Sequence, residues 1–139
     1  MSLEIHVLSN RQLHSTAEWQ TAIEAEGFRL NLSTEGELTE ANVFFPAVLN
    51  DTKSGFELYH DEARELTTNY AAYGVKIEGN WRHALSFRWG SLDHEGISAF
   101  MAATAYARAT DGVVFDPQDG RVMSPDESRE IAKKWEKQI

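Results

Sequence analysis

Alternating apolar and polar residues predict a series of β-strands along this chain. The clearest alternation is His83–Trp89, in which Leu85, Phe87 and Trp89 share one side with His83, and polar or small residues take the other side. A period of two is typical of a half-buried strand. Residues 28–32 repeat the pattern. Further short runs rich in β-forming residues predict strands at residues 5–8, 43–49, 56–59, 113–115 and 121–123.

Two helix starts are predicted by capping boxes, in which a serine oxygen and a glutamate three residues later satisfy each other's backbone amides. Ser15 and Glu18 open the first such helix, and Gly27 fits its end. Ser124 and Glu127 open the last helix of the chain, with a proline between them at the first helical position. The segment from Ser124 to Glu127 is the strongest local signal in the sequence.

Two further helices are predicted in the middle of the chain. Asp61 can cap a helix that ends near Gly74. The longest helix begins at Ser91 or Asp93 and runs to residue 109, with Gly112 as the glycine just beyond its end. This helix is rich in alanine, and small side chains allow a helix to approach a sheet closely. We therefore place it centrally.

The order of these elements predicts an α+β fold. Residues 50–55 have turn chemistry and join two predicted strands into a hairpin, while Pro46 indicates an edge strand or a bulge. Residues 33–42 are polar and predict a loop. Hairpin-like pairs beside helices favour a mostly antiparallel sheet packed with about four helices. With 139 residues, the chain predicts a single domain spanning residues 1–139.

Charge and composition narrow the classes of function. The net charge is −9, from 22 acidic against 13 basic residues, so the field repels nucleic acid and anionic membranes and favours a basic protein partner. There is no cysteine, which excludes disulfides and thiolate sites. The first residues lack the features of a secretory signal, and the longest uncharged run is too short to span a bilayer. We expect a cytoplasmic protein.

The sequence contains no phosphate-binding glycine loop and no standard catalytic motif, so we expect no cofactor. Its best candidate cluster consists of two similar junctions: His60 and Asp61 follow one predicted strand, and His94 and Glu95 follow another. Parallel strands would bring both junctions to one edge of the sheet. Their nitrogen and oxygen atoms could then bind a divalent metal or perform acid–base chemistry. The competing interpretation is that the acidic residues cap helix N-termini.

Aromatic and basic residues in the middle of the chain indicate a binding surface. The aromatic residues of this region include Tyr59 and Trp81, and Trp81 lies in an exposed-looking segment. Arg82 and Arg88 flank these aromatic residues in the sequence. Aromatic rings with a polar tip serve both cores and interfaces. The two arginines could stack on the rings or bind a carboxylate.

Three segments carry a resemblance to known proteins: residues 55–61 (GFELYHD), 84–90 (ALSFRWG) and 102–116 (AATAYARATDGVVFD). The chain resembles a family of small uncharacterised bacterial proteins. Its alanine-rich helix running into a Gly-Val-Val-Phe-Asp strand is similar to a pattern in immunity factors encoded near bacterial toxins. The resemblance implies a protein-binding role and brings no catalytic residues.

Three hypotheses about function follow from the sequence. The first is a non-enzymatic partner-binding module, such as an immunity-type inhibitor of a basic toxin. The second is a small metal-dependent or acid–base enzyme that uses the two histidine junctions. The third is a homodimeric structural or regulatory subunit that associates through an exposed aromatic patch.

Overall fold

The computed structural model describes residues 3–33, 38 and 43–139. Within these residues the chain forms seven strands and four helices, which confirms the α+β prediction. In chain order they are β1 (Leu3–Ser9), α1 (Thr16–Ala25), β2 (Leu30–Leu32), β3 (Val43–Leu49), β4 (Thr52–Glu62), α2 (Ala63–Ala71), β5 (His83–Trp89), α3 (Asp93–Ala109), β6 (Val113–Asp116), β7 (Arg121–Met123) and α4 (Pro125–Glu136). The predicted loop at residues 33–42 falls almost entirely outside the described residues.

The seven strands form one sheet in the order β2-β3-β4-β5-β1-β6-β7, and each neighbouring pair is antiparallel. The first strand of the chain is therefore an interior strand, held between β5 and β6. Its register with β5 places His6 opposite Ser86 and Glu4 opposite Arg88. Directly opposed residues share a face of the sheet, so β1 and β5 bring polar side chains together.

The main core lies on the face of the sheet covered by α1, α3 and α4, which we call the inner face. Residues 96–107 of α3 are all buried, because alanine, glycine and serine let this helix pack close to both the sheet and its neighbouring helices. Trp19 of α1 stands at the centre of this core, where its ring contacts Phe45, Phe56, Phe87 and Tyr106. Its indole N–H donates to the Ala102 carbonyl at 2.9 Å.

A smaller core lies on the opposite, outer face of the sheet. Its buried members are Leu8, Ala63, Ile77, Ala84 and Phe115, and α2 with the irregular segment after it packs over them. Adjacent strand residues point to opposite faces, which is why Leu8 belongs to this core while Val7 belongs to the inner one. The rest of the outer face next to α2 is polar.

The beginning of α2 differs from the prediction. Strand β4 continues through Glu62, so Asp61 lies in a strand and not at the N-cap of the helix. Glu62 is the N-cap residue, and its side chain makes no capping hydrogen bond. Asp61 instead accepts a hydrogen bond from Ser86 on β5. Pairing with β5 extended β4 beyond what the local sequence indicated.

The prediction that Pro46 marks an edge strand or a bulge is also wrong, since β3 is paired on both sides and its register with β4 runs through Pro46 without interruption. The Pro46 carbonyl faces β2, where it accepts from the Ser33 amide at 2.9 Å. The N atom of a strand residue points the same way as its carbonyl, so the missing N–H of Pro46 removes no bond to β4. The proline sits where the short strand β2 ends, and this position tolerates it.

Candidate functional site

The two histidine junctions lie near opposite ends of strand β4. Strands β4 and β5 are adjacent and antiparallel, so the ends of these strands point in opposite directions. Ser54, near the start of β4, donates to the His94 carbonyl at 2.9 Å. His60 lies six residues further along β4, which is about 20 Å at roughly 3.3 Å per residue. The prediction that His60, Asp61, His94 and Glu95 converge is therefore wrong, because its premise of parallel strands fails.

The four residues of that prediction have separate surroundings. His60 is half-buried on the inner side of β4, and its Nδ1 has no hydrogen-bond partner within the described residues. Burial lowers the pKa of His60, the charge of Asp61 opposes this, and His83 lowers it further. His94 and Glu95, in the first turn of α3, border a depression that includes Lys53. Among the described residues, no three histidine or acidic side chains are placed to bind a metal ion.

The predicted binding residues also fall into two places. The guanidinium of Arg88 lies over the ring of Tyr59, 4.9 Å from its centre, and Arg88 Nε donates to Glu4 Oε2 at 3.1 Å. Trp81 and Arg82 border a separate pocket of about 290 Å³ after α2, where the indole N–H donates to the Glu78 carbonyl. Arg88 thus stacks on a ring and binds a carboxylate, the two roles considered for it from the sequence.

A larger cleft of about 540 Å³ lies between α2 and the polar part of the outer face, and we call it the outer cleft. Strands β1, β4 and β5 form one wall, and α2 with the turn after it forms the other. Its acidic side chains are Glu4, Asp61, Glu62 and Glu65, and its basic side chains are Arg88 and His6. Leu66, Tyr70 and Tyr73 add apolar surface on the α2 side.

A chain of hydrogen bonds runs beneath the outer cleft. Ser86 Oγ donates to Asp61 Oδ2 at 2.5 Å and lies 2.6 Å from His6 Nδ1. A serine hydroxyl has one hydrogen, and here Asp61 accepts it. His6 Nδ1 must therefore carry a proton and donate to Ser86. His6 and Ser86 are buried, with 2% and 0% of their surfaces exposed, so water does not replace these bonds.

Glu4 is the most heavily engaged acid of the cleft. Its Oε1 accepts from the Tyr70 hydroxyl at 3.1 Å and its Oε2 accepts from Arg88. His6 Nε2 lies 3.5 Å from Glu4 Oε1. The polar contact with His6, followed by the effects of Tyr70 and Arg88, lowers the pKa of Glu4 to about 2, although burial opposes this. Burial and the adjacent Glu4 raise the pKa of Tyr70 to about 12. Glu4 is consequently a fixed negative charge.

The arrangement of His6, Ser86 and Asp61 differs from that of a serine hydrolase. In a hydrolase the histidine stands between the serine and the aspartate, and it removes the serine proton. Here Ser86 stands between His6 and Asp61, and its proton goes to the aspartate. Ser86 is also completely buried, so no substrate reaches its oxygen. What the cleft offers a ligand is concentrated negative charge beside apolar surface.

Sequence reasoning missed most of this cleft. Glu4, His6, Ser86 and Glu65 were not among the predicted site residues, because they have no companions nearby in the chain. His6 and Ser86 are 80 positions apart. The one available signal was a histidine within the apolar run at residues 5–8, since a polar side chain in a buried strand needs a partner.

Comparison of the chain with protein-family models, with curated proteins and with solved structures finds no match. The resemblance to immunity factors therefore stays a prediction. In the described part of the chain, no helix combines the length and apolar character that crossing a bilayer requires.

Proposed function

We propose that this protein is a partner-binding module whose outer cleft receives a cationic group of another protein. The observation that carries the proposal is the charge of the cleft, in which four carboxylates face one arginine. That arginine is already paired with Glu4. The remaining acids, Asp61, Glu62 and Glu65, leave an excess of negative charge that a basic partner would neutralise.

The preorganisation of the cleft supports binding. Glu4 is held by Tyr70 and Arg88 before any partner arrives, so little side-chain entropy is lost when a cation binds. The low pKa of Glu4 keeps its carboxylate ionised throughout the physiological range. A fixed charge beside a protein wall attracts a cation more strongly than a mobile surface charge does.

Exposed aromatic surface next to the cleft also supports a protein partner. Phe44 on β3 is 50% exposed and lies directly opposite Glu57 on β4, so it is on the outer face. Two residues along β4, Tyr59 is on the same face and carries the stacked Arg88. Aromatic side chains and arginine are the residues enriched in protein interfaces.

An immunity-type inhibitor of a basic toxin in the bacterial cytoplasm is the specific form of this function that the resemblance favours. The net charge of −9 would speed the encounter with such a partner and keep the inhibitor off nucleic acid. Inhibition would follow from covering the basic surface with which a toxin acts.

The test is capture of partners from a bacterial lysate with matched charge variants. Glu62→Gln/Glu65→Gln removes two acids from the cleft, and Glu24→Gln/Glu130→Gln removes two exposed acids from α1 and α4 on the other face. We expect the wild type to capture a basic protein, which is then identified and purified. The wild type and the control pair should both bind it. It should bind the cleft pair at least about tenfold more weakly, a loss of about 1.4 kcal/mol.

Three results would contradict the proposal. Equal affinity of both variants would show that the cleft is not the binding site. A chain that elutes as a dimer through its aromatic face, with no basic partner recovered, would favour the homodimeric subunit. Binding that survives 0.5 M salt unchanged would argue against an electrostatic contact, since salt screens exposed charges over a few ångströms.

A further inference from the structure

The contacts of His6 single out one atom of the outer cleft. His6 Nδ1 lies 2.6 Å from Ser86 Oγ, which leaves Nε2 as the ring nitrogen that faces the cleft residues. This nitrogen is buried, makes no hydrogen bond with any described residue, and faces Glu4 Oε1 at 3.5 Å. The floor of the cleft therefore holds a polar atom that the described residues leave without a hydrogen bond, next to the ionised carboxylate of Glu4.

Free acceptors are also present on the opposite wall. Glu62 and Glu65 line the cleft from the N-terminal end of α2, and neither makes a hydrogen bond or an ion pair within the described residues. Glu4, Glu62 and Glu65 therefore surround the cleft with carboxylate oxygens on both walls. A ligand with several N–H donors suits a cleft lined in this way.

The cleft already holds one guanidinium, which shows how a second could bind. Arg88 pairs with Glu4 through Nε and places its planar group on the Tyr59 ring. On the other wall, Tyr73 is 84% exposed and Leu66 is half-buried, so a ring and an aliphatic surface remain open. A guanidinium stacks on aromatic rings better than the strongly hydrated ammonium of lysine does.

We infer that the cationic group received by the outer cleft is the guanidinium of an arginine side chain, with its stem along Leu66 and Tyr73. This inference rests on the proposed function and names the group that the cleft recognises. Arginine matches the free acceptors and the open ring, whereas lysine matches only the charge. An exposed arginine of the partner would then be its anchor residue, as is common in protein interfaces.

The experiment titrates the full chain, labelled with ¹⁵N, with three small probes. N-acetylarginine amide carries the guanidinium, N-acetylcitrulline amide has the same shape without the charge, and N-acetyllysine amide carries an ammonium. The arginine probe should bind with an affinity on the order of millimolar and shift the amides of α2, β1 and residues 61–62. The lysine probe should bind at least about fivefold more weakly, and the citrulline probe should cause no shifts.

Two further readouts test the location. The imidazole ¹⁵N signal of His6 Nε2 should move with the arginine probe, because this nitrogen lies 3.5 Å from the Glu4 carboxylate at the floor of the cleft. Glu65→Gln should weaken binding at least about threefold, while Glu130→Gln, an exposed change on α4, should leave it unaltered. Circular dichroism of both variants checks that they fold.

Each contrary result has a distinct meaning. Equal binding of lysine and arginine would overturn the guanidinium assignment and leave a cleft that binds cations without distinguishing them. Binding of citrulline would overturn recognition by charge. Absence of binding by all probes, with a basic partner still captured through Glu62 and Glu65, would overturn the arginine anchor while the proposed function stands. If that capture also fails, the proposed function falls.

Discussion

Gly96 in α3 lies directly against the indole ring of Trp135 in α4. A Cβ atom at this position would overlap the Trp135 ring and come within 2.7 Å of Trp89 Nε1. Trp89 is buried, and the three rings of Trp89, Phe100 and Trp135 contact one another. The glycine thus sets the distance between α3 and α4.

The first prediction is that Gly96→Ala destabilises the protein, although alanine is the better helix former by about 1 kcal/mol. Overpacking of a closed contact costs about 1–3 kcal/mol, which we expect to outweigh the gain. Urea denaturation followed by circular dichroism measures the net loss. Gly90→Ala is the matched control, since nothing lies within 4 Å of its Cβ position and its effect should be small. A Gly96→Ala protein as stable as the wild type would show that α4 shifts freely.

How far the sequence could predict this fold depended on whether a signal was local. The capping box at Ser124 was confirmed, with Ser124 Oγ accepting from Glu127 N and Glu127 Oε1 accepting from Ser124 N. At Ser15 only half of the box is present: Ser15 Oγ accepts from Glu18 N, but the Glu18 carboxylate accepts from His14 N. Both helix starts were predictable because their contacts lie within five residues. The long helix starts at Asp93 as predicted. Its end differs in detail: Asp111 has the left-handed conformation (φ 56°), and Gly112 is needed instead because a side chain there would strike Leu8 on β1.

The candidate site was less predictable, since it depends on which strands are neighbours. The sequence indicated each strand but not that β1 lies between β5 and β6, so nothing joined His6 to Ser86. Because the sequence did not indicate strand order or direction, the His60 and His94 junctions were also wrongly placed together. Side-chain period and caps are encoded within a few residues, whereas strand order depends on the burial of the whole chain.

The second prediction concerns pH and Glu4. Its pKa is lowered from 4.5 to about 2 in the folded protein, so the ionised carboxylate stabilises the fold above pH 4.5. This contribution, at most about 3 kcal/mol, is lost as the pH falls from 4.5 towards 2. Glu4→Gln should lower stability at pH 7 and leave a smaller difference from the wild type near pH 2. Urea denaturation between pH 2 and pH 7 measures both curves. Parallel curves would show that Glu4 does not carry this dependence.

The third prediction concerns the hydrogen-bonded chain beneath the cleft. Ser86→Ala leaves His6 Nδ1 and its proton buried without an acceptor, which should cost about 1–3 kcal/mol. Removing the buried donor as well, in His6→Phe/Ser86→Ala, should cost less than the sum of the two single changes. A double-mutant cycle measured by urea denaturation gives the coupling. Strict additivity would mean that the two residues do not depend on each other.

The fourth prediction separates a true helix cap from a residue that only resembles one. Ser124 makes both hydrogen bonds of a capping box at the start of α4, so Ser124→Ala should destabilise the protein by about 1 kcal/mol. Asp61 looked like a cap in the sequence but lies one residue before the N-cap of α2 and binds Ser86. Asp61→Asn keeps a side-chain oxygen and could still cap a helix, yet it weakens the bond to Ser86 by removing the charge. We therefore expect a stability loss for Asp61→Asn in the wild type that largely disappears in a Ser86→Ala background. A loss of equal size in both backgrounds would mean that Asp61 acts on α2 after all.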